Sequence, residues 1–322
     1  MTERPQPTDQ PTDQPVDEAS EQSALLSNSA VMAAGTAVSR LSGFLRAALL
    51  SYALGKSVHA DVFNVANSLP NMLYILLAGG IFNAVLVPQL VRAMRNDPDR
   101  GDAYTSRVIS VAGLFLLVVT VLLVIAAPAI VDLVAPSYDG AVRSSAIAFT
   151  RFCMPQVFFY GMYVLVGQIL NARGTFGPMM WAPVANNVVA VAVILAYILG
   201  YGPAEGDQVF GGYTARQEAL LGLGSTLGIA LQLVILLPFL RRSGFLYTPR
   251  LDLRGSGLGH TLRLGVWTVL FVVVNQIAYV VVQRLATGGA AAACAESRGS
   301  IAVASDTVTI ECGTITTRNE LA

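Results

Sequence analysis

The chain has 322 residues, 54% hydrophobic and 12% charged, and its formal net charge is zero. Soluble domains carry about 25% charged residues, so the composition points to a membrane and away from an ordinary soluble enzyme, while the zero balance argues against a nucleic-acid binder. The three cysteines and two histidines lack metal-ligand spacing, and there is no Gly-rich phosphate loop or Ser/His/Asp arrangement.

Residues 1–24 read MTERPQPTDQPTDQPVDEASEQSA, rich in Pro, Asp, Gln and Thr with almost nothing to bury. This is the composition of a disordered tail. Apolar segments of spanning length follow, about 20 residues being needed to cross a bilayer. They fall at 31–54, 62–91, 108–134, 144–170, 179–200, 219–240 and 262–284, which makes the expected fold all-α and polytopic, with seven transmembrane helices. Pro70, Pro88, Pro128, Pro155 and Pro183 lie in or near these spans. Neighbouring helices can satisfy the backbone groups that proline frees.

Loop charge sets the expected orientation. One set of alternate loops holds Arg92, Arg95, Arg100, Arg107, Arg173, Arg241, Arg242, Arg250, Arg254 and Arg263. The other holds Lys56, Arg143, Arg151 and Arg216, so ten against four places the N-terminus in the cytoplasm.

Two arginines, Arg40 and Arg46, interrupt the first span. An arginine at the centre of a spanning helix costs roughly 2.5–3.5 kcal/mol on insertion scales. The two point about 120° apart and sit about 9 Å apart along the axis. Snorkelling to the headgroups is one reading for Arg40, which lies about 13 Å inside a span beginning at Val31. Lining a hydrated cavity is the other, and a cavity bearing two guanidiniums favours an anion such as phosphate.

Asp61 opens the second span, either as partner to an arginine or coupling cation or as a carboxylate at a helix N-terminus. Asn64, Asn67 and Asn71 follow at helical spacing, a stripe that either contacts a polar ligand or bonds helix to helix. The same pair of readings applies to Asn83, Gln168, Asn171, Asn186, Asn187, Asn275, Gln276 and Gln283. Gly79 and Gly80 would permit close helix approach.

Residues 290–322 change character, losing the apolar runs and gaining Thr and Ser with Cys294 and Cys312. By the topology this end lies outside, which permits a Cys294–Cys312 disulfide. It reads as an atypical polar tail, expected to mark a truncated or frame-shifted end.

The run SRLSGFLR, then ALG, then ADVFNVANSLPNMLYILLAGGIFNAVLVPQL resembles the start of the MurJ/MviN family of lipid II flippases, within the superfamily of multidrug, oligosaccharidyl-lipid and polysaccharide exporters. RFCMPQVFFYGMYVLVGQILNARGTFGPMMWAPVANNVV is similar to that family's fourth and fifth helices. The resemblance implies two six-helix lobes around a cationic cavity that opens to each side in turn and holds a lipid-linked pyrophosphate. It implies that Arg40, Arg46 and Asp61 line that cavity. Where relatives read LPNLLRR and then AEG, this chain has Tyr74, Ile75 and Gly79, so charge at those positions is lost. The second lobe does not follow the seventh span.

The chain therefore divides into a disordered cytoplasmic tail (1–24), a six-helix lobe (25–240), a basic loop with a seventh helix (241–289) and the polar tail (290–322). The expected function is translocation of lipid II, an undecaprenyl-pyrophosphate-linked peptidoglycan precursor, across the plasma membrane by alternating access. The expected cavity residues are Arg40, Arg46, Asp61, Asn64, Asn67 and Asn71. No cofactor is called for beyond a coupling ion or the membrane potential. Expected partners are lipid II, membrane lipids, and a second lobe or other cell-wall synthesis proteins. The alternatives are a non-transporting membrane scaffold or remnant in cell-wall synthesis, or an exporter of another lipid-linked sugar or drug.

Overall fold

In the computed structural model, residues 15–55, 58–75, 87–99, 101–203, 212–251, a few helical positions between 274 and 282, and 299–303, 306–311 and 314–319 are described. Gly79, Gly80, Asn83, most of the seventh span with Asn275, Gln276 and Gln283, and Cys294 and Cys312 lie outside them.

α1 runs Pro15–Leu54, so it takes in Pro15 to Ala24 of the stretch read as a tail. Proline suits the first helical position. α2 (Val58–Ile75) and α3 (Val87–Asn96) occupy the second span and the basic segment after it. The third span is two helices, α4 (Asp102–Ile125) and α5 (Ala127–Val134), and the fourth is α6 (Gly140–Cys153) and α7 (Gln156–Ala172). Each break falls next to a proline, Pro128 or Pro155, which removes a ladder donor and crowds the preceding turn. α8 covers Gly177–Tyr201 and α9 covers Ala215–Arg242.

Four of these stretches are long and apolar enough to cross a membrane: Asp102–Ile125, Gly140–Ala172, Gly177–Tyr201 and Ala215–Arg242. Their outer faces carry Leu117, Leu122, Ile125, Val188 and Leu199 in the open, as lipid-facing walls require. The protein is a polytopic, helical membrane protein. A small antiparallel sheet in the order β1–β2–β3 follows the helices, made of Gly299–Val303, Asp306–Glu311 and Thr314–Asn319.

Helix ends are set by local chemistry. Thr214 and Gln217 form a reciprocal capping box at the start of α9. After α7, Gly174 sits at φ +77°, with Thr175 N–H donating to the Leu170 carbonyl at 2.9 Å and Gly174 N–H to that of Asn171 at 3.0 Å. That six-to-one and five-to-two pair needs a left-handed residue, which glycine supplies without strain.

The body packs around two apolar clusters. One joins α2, α4, α7 and α9 through Leu69, Leu116, Met154, Ile169, Leu170 and Leu236, all nearly or fully buried. The other gathers Leu54, Phe63, Phe149, Ile194, Tyr197 and Tyr213 at the opposite end of the bundle. α9 meets its neighbours through glycine. A Cβ on Gly222 would lie 2.7 Å from Phe152 Cβ, and one on Gly224 would lie 2.6 Å from the methyl groups of Val193.

The helix ends carrying Asp102, Arg173 and Phe245 come together. Arg173 donates to Asp102 and stacks over the Phe245 ring, 5.1 Å from its centroid. Loops read as lying on one side of the membrane therefore share one end of the bundle.

Candidate functional site

α1 and α8 run side by side in the same direction. Gly35 meets Met180 and Trp181, and further along Asn187 donates to the Ser39 carbonyl at 3.0 Å and to Ser42 Oγ at 2.9 Å. α1 packs chiefly on α8, α2 packs on α6 and α7, and α1 and α2 touch little.

At about 100° per residue, Arg46 falls on the side of α1 that holds Ser39, Ser42 and Gly35, facing α8. It is half-buried, one turn past the Asn187 contact. Arg40 lies on the flank of that seam and is exposed. It borders a cleft of about 420 Å³ between α1, α7, α8 and α9. Thr36 and Ser39 share its wall on α1, Tyr160 and Tyr163 line it from α7, and Gln232 reaches it from α9.

The cleft wall is built by a proline. Pro183 has no N–H to give the Met179 carbonyl one turn back, and Tyr163 Oη donates to that carbonyl at 2.6 Å instead. Tyr163 is thereby fixed with its ring against the cleft. A parallel repair occurs where α6 ends: Thr226 Oγ1 donates to the Phe152 carbonyl at 2.7 Å. Bending a helix and capping the freed carbonyl from a neighbour keeps the backbone satisfied within the bundle.

The α2 residues divide. Asp61, Asn64 and Asn71 are exposed on one arc of the helix, while Val62, Phe63, Ala66 and Leu69 face the core. Asn67 sits at the margin of that arc and accepts a hydrogen bond from Gln156 Nε2 of α7 at 3.2 Å. Asn67 and Asn187 thus tie helices together, whereas the other three leave their polar ends open. Asp61 also lies near the Tyr138 hydroxyl, which burial first, and that carboxylate second, push up to about 12. No shared contact joins Arg40, Arg46 and Asp61 among the described residues.

Tyr160, Tyr163 and Gln232 were not singled out from sequence. Gln232, in the run LQLVILL, carried the same signal as the asparagines: one amide in an apolar span. The tyrosines carried none, because aromatic residues are ordinary in a spanning helix. Among the described residues there is no group of His, Cys, Asp and Glu able to hold a metal ion.

These features define a polytopic membrane protein whose helices frame a polar, arginine-bearing cleft. The family model described as lipid II flippase MurJ matches residues 50–302. The chain belongs to that family.

It is 26% identical over 256 residues to a probable lipid II flippase MurJ of Haemophilus influenzae, covering 75% of this chain and 47% of that protein. It is 32% identical over 166 residues to the lipid II flippase MurJ of Burkholderia cenocepacia, covering 50% of this chain and 32% of that one. The fold is also that of a solved lipid II flippase MurJ in an inward closed conformation, at TM-score 0.60 and 19% identity over 80% of this chain and 50% of that one. The chain spans about half the length of the relatives it matches over most of its own. These relatives are named as flippases, which are transporters rather than enzymes.

Proposed function

We propose that this chain is the first lobe of a lipid II flippase, with residues 25–240 forming the lobe and 241–289 beginning a second. In this reading it moves the undecaprenyl-pyrophosphate-linked peptidoglycan precursor across the plasma membrane, with its N-terminus in the cytoplasm. The observation that carries the reading is Arg40, a guanidinium placed within a spanning bundle at the edge of a cleft rich in hydroxyl and amide groups. A cation held there has a use only if an anion comes to it, and a planar fork of donors suits a pyrophosphate. Membership of a family described as lipid II flippases supports reading that anion as the pyrophosphate of lipid II.

Arg46, Asp61, Asn64 and Asn71 line the wider cavity in this reading, and Asn67 holds one of its walls. α1 and α2 lean on different neighbours, so the two can part without breaking either seam. That freedom is what alternating access asks of a lobe. A second lobe, in this or another polypeptide, would close the cavity from the far side. The driving free energy comes from an ion gradient or the membrane potential, the latter worth about 2.3 kcal/mol per charge per 100 mV.

The test is translocation of lipid II in proteoliposomes containing the purified chain, alone and together with a second-lobe polypeptide. Translocation that Arg40→Ala and Arg46→Ala abolish, with the fold intact, is the expected result. A chain that never translocates lipid II in either setting is a scaffold instead, and translocation that survives both changes would overturn the role given to the two arginines.

A further inference from the structure

A second cavity lies on the outer wall of the bundle, away from Arg40. It is a groove of about 770 Å³ between α4 and α9, floored by α7. Leu114 and Leu117 form one wall, Leu233 and Leu237 the other, and Phe158 and Met162 the floor. Gly113 removes side-chain bulk from the α4 wall, leaving Met162 Sδ 3.6 Å from where its Cβ would stand.

The groove has a built end. The segment after α9 folds back over it, and Phe245, Leu246 and Tyr247 line that end. This segment is pinned to α4, with the Tyr247 and Ser110 hydroxyls 2.8 Å apart and Arg250 N–H donating to Ser110 Oγ at 3.0 Å. Thr248 N–H donates to Ser106 Oγ at 3.3 Å.

The charge at this end is specific. Arg173 is paired with Asp102, the Asp99 carboxyl is lowered first by the Ala103 backbone N–H and least by nearby Arg250, and Arg242 lies over the Phe239 ring at 5.8 Å. Arg241 lines the groove itself and is exposed, with no carboxylate partner among the described residues.

We propose that this groove is a binding site for an anionic phospholipid, one acyl chain lying between α4 and α9 and the phosphate held by Arg241. The rim continues into the open apolar faces of α4 and α9, where Val118 and Val234 are half or more exposed. In a bilayer such a face is bathed by acyl chains. A chain in the groove exchanges lipid neighbours for Leu, Phe and Met side chains at no polar cost, and a phosphate at its head meets Arg241, which has no carboxylate partner among the described residues. Bivalent contact of this kind, an apolar chain plus one charge, is what separates a bound lipid from the passing annulus. By the loop-charge rule this end faces the cytoplasm, placing the site in the inner leaflet.

The test is native mass spectrometry of the full chain, purified in mild detergent and titrated with phosphatidylglycerol or phosphatidylcholine. The expected result is a preference for phosphatidylglycerol that Arg241→Gln lowers about fivefold, the scale of one basic residue at an anionic surface. Leu117→Trp, which fills the groove, is expected to lower retention of both lipids. Leu199→Trp, on an 87% exposed position of α8, leaves both unchanged and controls for added bulk. Equal retention of the two lipids, or retention that neither Arg241→Gln nor Leu117→Trp alters, would overturn the proposal. So would displacement of lipid by another segment of the chain, seen as cross-linking of a Leu117→Cys variant to residues 262–284.

Discussion

Asn187 of α8 donates its side-chain amide to Ser42 Oγ of α1 at 2.9 Å and to the Ser39 carbonyl at 3.0 Å. One side chain thus holds the arginine-bearing helix in register between Arg40 and Arg46. Both bonds are part-buried between the two helices.

Asn187→Leu removes both bonds and leaves an acceptor unmatched. Hydrogen bonds between membrane helices average about 0.6 kcal/mol and reach about 1.7, so a loss of about 1–2 kcal/mol is expected. Thermal unfolding in detergent measures it. Ser42→Ala in the Asn187→Leu background should then cost little more, since the pair acts as a unit.

Gly224→Ala would put a Cβ 2.6 Å from two methyl groups of Val193, so α8 and α9 must move apart. Overpacking of this kind costs about 1–3 kcal/mol. A lowered melting temperature is the expected readout. Gly200→Ala, where nothing lies within 4 Å, is the matched control and should not destabilise.

Arg173 is 9% exposed in its side chain and Asp102 37%, and Arg173 also covers Phe245. Arg173→Ala should loosen the segment after α9 and cost about 1–3 kcal/mol, less than a fully buried pair because the carboxylate is part-solvated. Arg173→Lys should recover only part of this, since lysine lacks the planar fork and the stacking face. Limited trypsin digestion should show faster cleavage at Arg241 and Arg242 in both variants.

Asp99 accepts from the backbone N–H of Ala103 at 2.9 Å and of Gly101 at 3.1 Å, and these bonds, with Arg250, hold its carboxyl below the usual 3.8. A lowered folded-state value means its support for the start of α4 is present above the ordinary carboxylate range and is lost as pH falls through the folded value. Protection of the Ala103 amide relative to its intrinsic exchange rate should therefore fall as the pH drops below about 4. Asp99→Asn should remove that pH step.

The third to sixth spans, their order and the meeting of Asp102, Arg173 and Phe245 at one end were legible because hydropathy and loop charge are local properties of the sequence. The breaks at Pro128 and Pro155 were less so. Pro183 and Pro238 sit within continuous helices, and which outcome a proline produces depends on what a neighbour offers the freed carbonyl. Tyr163 offers a hydroxyl at Pro183, and no sequence pattern announces that.

Arg40 and Arg46 looked alike in the sequence, and only the α1–α8 seam separates them. Asn64, Asn67 and Asn71 likewise formed one stripe until Gln156 took up Asn67. In the tail, TVTIECGTITT is rich in β-branched residues and alternates Thr with Val or Ile, and that signal for the antiparallel strands was passed over for polarity.

The most direct measurement is the affinity of the purified chain for a polyprenyl pyrophosphate, determined for the native sequence, Arg40→Ala, Arg40→Lys and Asn67→Ala. Hydrogen bonds to charged groups are worth about 1.5–3 kcal/mol, so Arg40→Ala should weaken binding by about ten- to a hundredfold. Arg40→Lys should fall between, and Asn67→Ala, a contact between helices, should change affinity little in protein that stays folded. Binding that survives Arg40→Ala unchanged would contradict a pyrophosphate site at this cleft.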